Sequence, residues 1–334
     1  MRKYRVVQFG CGPIGCHVAR LASERPQIEI VGAIDIAKDK AGRDLGEVAE
    51  VGRRLGVQVS ADAEKTLSAL KPDVVIHTTG SDFGAVFDQL ASIVRSGANI
   101  VSTCEELSYP YYRYKEKAAE LDALAKTRDV SVLATGINPG FLMDAWPLFM
   151  TGVCKQVRMV KTTRIQDATS RRLPFQKKIG AGCTVEEFQR RVDAGTLRHV
   201  GLTESISMIG DTLGWKLDKI TESIEPIIAQ AAVKSPYLSV EPGQVAGVRQ
   251  IGYGFEKTNV RVVAEFQASI GAVEPYDEVY INGVPEMRVR VVGGTHGDVG
   301  TVAMVVNSIG RVVDAPAGLL TMRDIPMVVC AAGG

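Results

Sequence analysis

The stretch YRVVQFGCGPIGCHVARLAS, residues 4–23, decides how the rest of the chain is read. Its first six residues are a short β-branched run of the kind that forms a buried strand. GCGPIG follows at once, and from Ile14 to Ser23 the apolar residues recur at helical spacing. A GxGxxG between a strand and a helix has a physical purpose. Gly10 permits the tight turn, Gly12 lets a pyrophosphate approach the backbone, and Gly15 lets the helix pack against the strand. The first helical turn, with Pro13 and Ile14, then presents unpaired N–H groups and partial positive charge to phosphates. Asp35 closes the next strand-like run, IEIVGAID, twenty residues beyond Gly15, where an acid binds an adenosine ribose hydroxyl. These residues predict a dinucleotide site. The acid favours NAD(H), whereas Lys38, Lys40 and Arg43 just behind it suit the extra phosphate of NADP(H), so both cofactors stay open.

The alternation continues through VQVS, DVVIHTT, NIVST and VSVLAT, with helical patterns at Phe83 to Ser96 and Tyr112 to Thr127. It predicts an α/β chain whose residues 1–138 form a Rossmann doubly wound parallel sheet. TGINPGFLMD is a Gly/Pro junction. Beyond it, VRMVKTTRIQDAT, TNVRVVAEFQAS and EMRVRVV, with helices at Val185 to Ala194 and Ser205 to Leu213, predict a second α+β domain with a mixed sheet. That domain, residues 139–298, is expected to bind substrate and to dimerise. A last apolar helix at about Val299 to Val313, within a segment 299–334, is expected to pack back on the first domain.

Of the 334 residues 46% are hydrophobic and 23% charged, and the formal net charge is +1. No global field draws such a chain to nucleic acid or anionic lipid, so a small-molecule partner is expected. Six cysteines without a CxxC and four isolated histidines predict reduced thiols and no metal site. The N-terminus enters a strand directly and no apolar run approaches a membrane span, which points to the cytoplasm.

In a doubly wound sheet ligands sit at the carboxyl ends of the strands. Thr78, Thr79 and Gly80, after the fourth strand, are therefore candidate cofactor contacts. Glu105 and Glu106, after NIVST, fall near the nicotinamide end. If the chain stays extended there, adjacent side chains face opposite ways and only one glutamate can handle protons. The other caps the following helix or pairs with Arg113 or Lys115.

VGAID with AGRDLGEVAEVGRRLGV, then STCEELSYPY, TGINPGFLMD, HVGLTESISMIGDTLGW, YLSVEPGQVAG and GTVAMVVNSIGRVV, resemble the 2,4-diaminopentanoate dehydrogenases and the related native amine dehydrogenases across nearly the whole chain. The resemblance implies a homodimer that uses NAD(H) or NADP(H) to interconvert an amine with a ketone or aldehyde plus ammonia. It implies a catalytic acid/base at Glu105 or Glu106, with Glu105 favoured. It places Asn138 beside the nicotinamide, Phe141 and Trp146 as apolar pocket walls, and Arg164 and His199 as polar lining. Arg198, just before HVG, stands where the family commonly has glycine, which bears on the pocket's polarity. No acid for a second substrate nitrogen is evident, so amine dehydrogenase in general is expected rather than an enzyme of diaminopentanoate. Two other reductases of this architecture fit less well: the adjacent histidines of dihydrodipicolinate reductase are missing, as is the lysine of homoserine dehydrogenase. A 2,4-diaminopentanoate dehydrogenase proper and a non-catalytic dinucleotide sensor are the remaining alternatives.

Overall fold

In the computed structural model, which describes residues 2–330, the chain divides into two units. One takes the chain as far as Phe141 and again from Gly297 onward; the other is Leu142–His296. The first runs β1 (Tyr4–Phe9), α1 (Pro13–Ser23), β2 (Ile28–Ile34), α2 (Leu45–Val48), β3 (Val59–Ser60) and α3 (Ala63–Leu70). It continues through β4 (Val74–His77), α4 (Phe83–Arg95), β5 (Asn99–Ser102), α5 (Lys115–Thr127) and β6 (Ser131–Ala134). These strands pair in parallel in the order β3-β2-β1-β4-β5-β6. The order reverses between β1 and β4, and a dinucleotide binds at such a switch point. Val6 and Val7 show how the sheet is buried on both faces. Val7 joins a cluster with Phe83, Leu90, Ile100 and Leu121, while Val6 joins Val18, Val74 and Leu133 on the opposite face.

The second unit begins with α6 (Ala145–Thr151), β7 (Gln156–Asp167), α7 (Leu173–Lys178), α8 (Val185–Asp193) and α9 (Leu202–Thr212). Then come β8 (Lys219–Ile228), the short pair β9 (Val233–Lys234) and β10 (Ser239–Val240), and β11 (Val245–Glu256). β12 (Asn259–Ser269), β13 (Tyr276–Val284) and β14 (Met287–Val292) complete it. The main sheet has the order β14-β13-β7-β12-β11-β8. Only β7 and β12 are parallel within it, so the sheet is mixed. α9 lies close on this sheet because Gly252 and Gly254 leave room; a Cβ at either would come within 2.6 and 2.7 Å of Ile206.

The chain then returns to the first unit through α10 (Gly297–Val313) and β15 (Gly318–Leu320), which pairs in parallel with β6. Val302, Val305, Ile309 and Val312 of α10 are buried against Val6, Val18 and Val74, each contributing at most roughly 1.5–3 kcal/mol. Residues 331–334 of the segment expected to return lie outside the described residues. The seam falls after Phe141 rather than Asn138 because the intervening loop closes on itself. Gly140 has φ +119°, a Cβ there would overlap the Gly136 backbone, and the Ile137 N–H donates to Thr301 Oγ1 of α10 at 3.3 Å.

Candidate functional site

The glycine loop is built from sterics. Gly10 has φ +94°, and a side chain there would come within 2.8 Å of the Thr78 carbonyl. At Gly15 a Cβ would overlap the Gly10 carbonyl oxygen and come within 2.6 Å of Thr78 Oγ1. Gly12 differs: apart from its chain neighbours, no described residue lies within 4 Å of where its Cβ would be. That open space, in front of a helix whose N-cap is Gly12 itself and whose first position is Pro13, fits a pyrophosphate on the first-turn N–H groups. Ile14 follows Pro13 in that turn and packs on the cluster shared with α10. The first unit is thus built for the dinucleotide of NAD(H) or NADP(H).

Asp35 is held by three donors. Its Oδ2 accepts from the Cys11 N–H at 2.8 Å and Lys40 Nζ at 3.1 Å, and its Oδ1 from the Ala37 N–H at 2.9 Å. Burial alone would raise the carboxyl, but the Ala37 and Cys11 N–H groups and the Lys40 ammonium outweigh it and hold it below the usual range. Of the three bases noted behind it, Lys38 and Arg43 are exposed; Lys40 is the one that reaches the acid, since the turn at Ala37 to Ala41 brings it back over Asp35. An ammonium already beside the acid expected to bind the ribose offsets its repulsion of a 2′-phosphate. Lys40→Met is therefore expected to lower kcat/KM for NADPH about tenfold relative to NADH, the equivalent of about 1.4 kcal/mol; steady-state kinetics with both cofactors checks it.

At the end of β4, Thr78 Oγ1 donates to the Gly10 carbonyl at 2.7 Å and accepts from Gln8 Nε2 at 2.9 Å. It braces the loop from beneath. Thr79 Oγ1 donates to Gln89 Oε1 at 2.7 Å and meets His77 Nε2 at 2.8 Å. Both hydroxyls thus have protein partners, and Gly80 follows them, partly exposed. His77 is fully buried, with Nδ1 2.9 Å from Ser102 Oγ. Desolvation pushes it down from 6.5 to about 4. A histidine kept neutral in the fold but free to take a proton when unfolded stabilises above its unfolded pKa. Stability is therefore expected to fall as pH drops from 6.5 toward 4, by on the order of 3 kcal/mol from this group. Denaturant midpoints across that window, compared with His77→Asn, check it.

The two glutamates do not stay extended: residues Glu105–Ser108 turn into a 3-10 helix. The expectation of opposite-facing side chains on a strand is corrected here, because the Leu107 N–H bonds back to the Cys104 carbonyl. The turn gives the two carboxylates different surroundings all the same. Glu106 is buried. Its Oε2 accepts from the Phe83 N–H at 3.1 Å, at the start of α4, and from Tyr114 Oη at 2.8 Å. Its Oε1 lies 3.6 Å from Arg113 Nη1. Burial and this carboxylate push the Tyr114 phenol well above its ordinary pKa, so it remains a donor. Helix α5 was expected from Tyr112 but starts at Lys115; the residues before it turn instead and bring Arg113 and Tyr114 to Glu106. Glu105 is half-buried, and among the described residues no hydrogen bond or ion pair holds its carboxylate. No local pattern in the sequence announces Tyr114.

Asn138 is buried in the closed loop after β6, and Phe141 ends it half-buried. In the second unit Trp146 is half-buried on α6. Arg164 is only 1% exposed. It lies in β7, with Nη2 donating to the Thr295 carbonyl at 2.7 Å and Nε 3.7 Å from Asp277 Oδ1. Desolvation pulls it down to about 10, against the pull of Asp277. His199 stacks on Phe266 at 4.2 Å and 14°, and its backbone is clasped by Gln250, which accepts from its N–H at 2.7 Å. Phe266 pairs in register with Arg164 on one side and Gln250 on the other, so all three share a sheet face. The structure thus brings Arg164 and His199 to one region. Neither Phe141 nor Trp146 lines the cavity at His199. Lys178, which does, was missed by the sequence reading.

A parallel sheet reversed between β1 and β4, an open glycine loop and an acid after β2 define a nucleotide-dependent oxidoreductase of the Rossmann class. The comparisons narrow the class. The chain belongs to the 2,4-diaminopentanoate dehydrogenase family: that family's C-terminal domain matches residues 141–334. The 2,4-diaminopentanoate dehydrogenase of Acetoanaerobium sticklandii is 36% identical, over 98% of this chain and 94% of its own. Residues 4–130 match the N-terminal domain of dihydrodipicolinate reductase. An amine dehydrogenase of Streptomyces virginiae is 24% identical over 96% of each chain. The solved amine dehydrogenase of Mycobacterium smegmatis superposes with a TM-score of 0.86 at 27% identity, covering 98% of this chain and 97% of its own. Among the described residues no helix is long and apolar enough to cross a membrane.

Proposed function

We propose that the chain is an NAD(P)-dependent amine dehydrogenase with Glu105 as its acid/base. It interconverts a carbonyl, ammonium and NAD(P)H with an amine, NAD(P)+ and water. The observation that carries the assignment is the contrast between neighbours: Glu106 is tied to Phe83, Tyr114 and Arg113, whereas the Glu105 carboxylate is uncommitted after the strand where a nicotinamide belongs.

When bound, the cofactor supplies or takes the hydride. Gly10, Gly12 and Gly15 would hold its pyrophosphate and Asp35 its ribose, with Asn138 and the Thr78–Gly80 turn toward the nicotinamide. Glu105 relays a proton from nitrogen to oxygen as ammonia adds to the carbonyl carbon, and the proton that ammonium gives up in becoming ammonia passes through it to the carbinolamine hydroxyl, which leaves as water. Its negative charge then stabilises the iminium, as a carboxylate does best where water is excluded. Phe141, Trp146, Arg164 and His199 serve the substrate. The same reading has the chain act as a homodimer in the cytoplasm, a reducing compartment that suits its free thiols. Isotope-labelled ammonium tests the chemistry: label in the amine product is expected, and NAD(P)H-dependent reduction to an unlabelled alcohol would overturn it.

A further inference from the structure

His77 is fully buried at the carboxyl end of β4 and has no part in the chemistry above. Its ring stands edge-on to Phe9, at 5.7 Å and 70°, and each ring nitrogen meets polar partners. Nε2 lies 2.8 Å from Thr79 Oγ1 and 3.1 Å from Gln89 Oε1, and Nδ1 lies 2.9 Å from Ser102 Oγ. Counting hydrogens gives these bonds their directions. Thr79 has one hydroxyl hydrogen, which it gives to Gln89 Oε1 at 2.7 Å. Both oxygens can then only accept from Nε2. Burial keeps the ring neutral, so its single proton sits on Nε2 and Nδ1 is an acceptor. Ser102 Oγ therefore donates to Nδ1, and its lone pairs accept the Cys104 N–H at 3.1 Å.

One directed chain thus runs from the Cys104 N–H through Ser102, His77 and Thr79 to Gln89 on α4. It ties together the ends of two neighbouring strands, since His77 of β4 and Ser102 of β5 are register partners. Cys104 is the residue before Glu105. On the other side of Glu105, the Glu106 N–H donates to the Ser81 carbonyl at 3.2 Å, and the Cys104 thiol reaches the same carbonyl at 3.3 Å. The 3-10 turn is pinned on both sides of Glu105, whose own carboxylate has no hydrogen bond or ion pair among the described residues. Such a side chain takes its place from the backbone that carries it. A misplacement of about 1 Å at a reacting group can cost about 100-fold in rate.

We infer that His77 is a positioning residue, which acts through Ser102 to fix the Cys104 backbone and with it the approach of Glu105 to the substrate. The inference rests on the reading of Glu105 as the acid/base. It divides the ring into two parts: Nδ1 serves Glu105 through Ser102, and Nε2, held by Thr79 and Gln89, sets the tautomer that makes this possible.

Ser102→Ala removes the link without adding an atom to the core. It is expected to lower kcat about 10- to 100-fold while NAD(P)H affinity stays near that of the wild type. In a Glu105→Gln background the same substitution is expected to cost nothing further, because residues that act through one another are non-additive. Two His77 variants separate the ring nitrogens. Asparagine carries its amide oxygen near Nδ1 and keeps an acceptor for Ser102, whereas glutamine reaches only the Nε2 position. His77→Asn is therefore expected to retain about tenfold more kcat than His77→Gln. Imidazole nitrogen NMR of the wild-type protein is expected to find His77 as the Nε2–H tautomer, a readout that no variant has to fold to give. A proton on Nδ1, undiminished kcat in Ser102→Ala, or an equal loss from Ser102→Ala in both backgrounds overturns the positioning role and leaves Glu105 as the acid/base. Full turnover in Glu105→Gln overturns the acid/base reading itself, and the positioning role falls with it.

Discussion

Glu105→Gln is expected to lower kcat about 10²- to 10⁴-fold, the contribution of a positioned general acid/base, while melting temperature and NAD(P)H affinity stay near those of the wild type. The reason lies in what each glutamate touches. Among the described residues the Glu105 carboxylate has no hydrogen bond or ion pair to lose, so an isosteric amide removes only the charge and the transferable proton. Glu106→Gln should show the opposite pattern. Its carboxylate accepts from the Phe83 N–H and Tyr114 Oη and faces Arg113, so an amide nitrogen replaces one acceptor. The expected cost is about 1–3 kcal/mol of stability, with folded protein still turning over. Thermal denaturation and steady-state kinetics on both variants check the pair. Full turnover in Glu105→Gln would move the acid/base elsewhere.

The second large effect separates binding from folding within the glycine loop. Gly12→Ala puts a methyl group where, beyond its chain neighbours, no described residue lies within 4 Å, at an ordinary φ of −70°. Stability should hold or rise by about 0.4–1 kcal/mol, yet NAD(P)H affinity should fall at least about tenfold, because the methyl occupies the pyrophosphate's approach. Gly15→Ala should fail in the other way. Its Cβ would overlap the Gly10 carbonyl and press on Thr78 Oγ1, forcing helix and strand apart at a cost of about 1–3 kcal/mol or more. Cofactor titration and denaturant unfolding of both variants distinguish the cases. Unimpaired NAD(P)H binding by Gly12→Ala would contradict a dinucleotide at this loop.

The first unit was legible because its instructions are local. Parallel strands buried on both faces read as continuous β-branched runs, and the glycine positions follow from turn and close-approach sterics that a short window contains. The second unit was only half legible. β11 carries Gly247, Gly252 and Gly254, which break a strand pattern but exist so that β12 and α9 can come close. β8 is an edge strand that mixes charged, hydroxyl and apolar residues without regular alternation and contains Pro226, so it reads as irregular until β11 pairs with it. The glutamate pair drew attention by its position, but the different surroundings of its two carboxylates were not readable. That difference depends on Tyr114 and on the Phe83 N–H, which folding brings to Glu106 from 8 and 23 residues away. Lys40 was noted only as a nearby base, since five residues of separation do not reveal that a turn returns its ammonium to Asp35.

The most direct test of the account is nicotinamide absorbance of the purified protein with NADH or NADPH and short ketones, aldehydes and oxo acids, with and without ammonium at mildly alkaline pH. Oxidation that requires carbonyl and ammonium together is the predicted result. Oxidation at the same rate without ammonium would make the chain a carbonyl reductase, and tight cofactor binding without oxidation of any member of the panel would leave a dinucleotide sensor; either result contradicts the account.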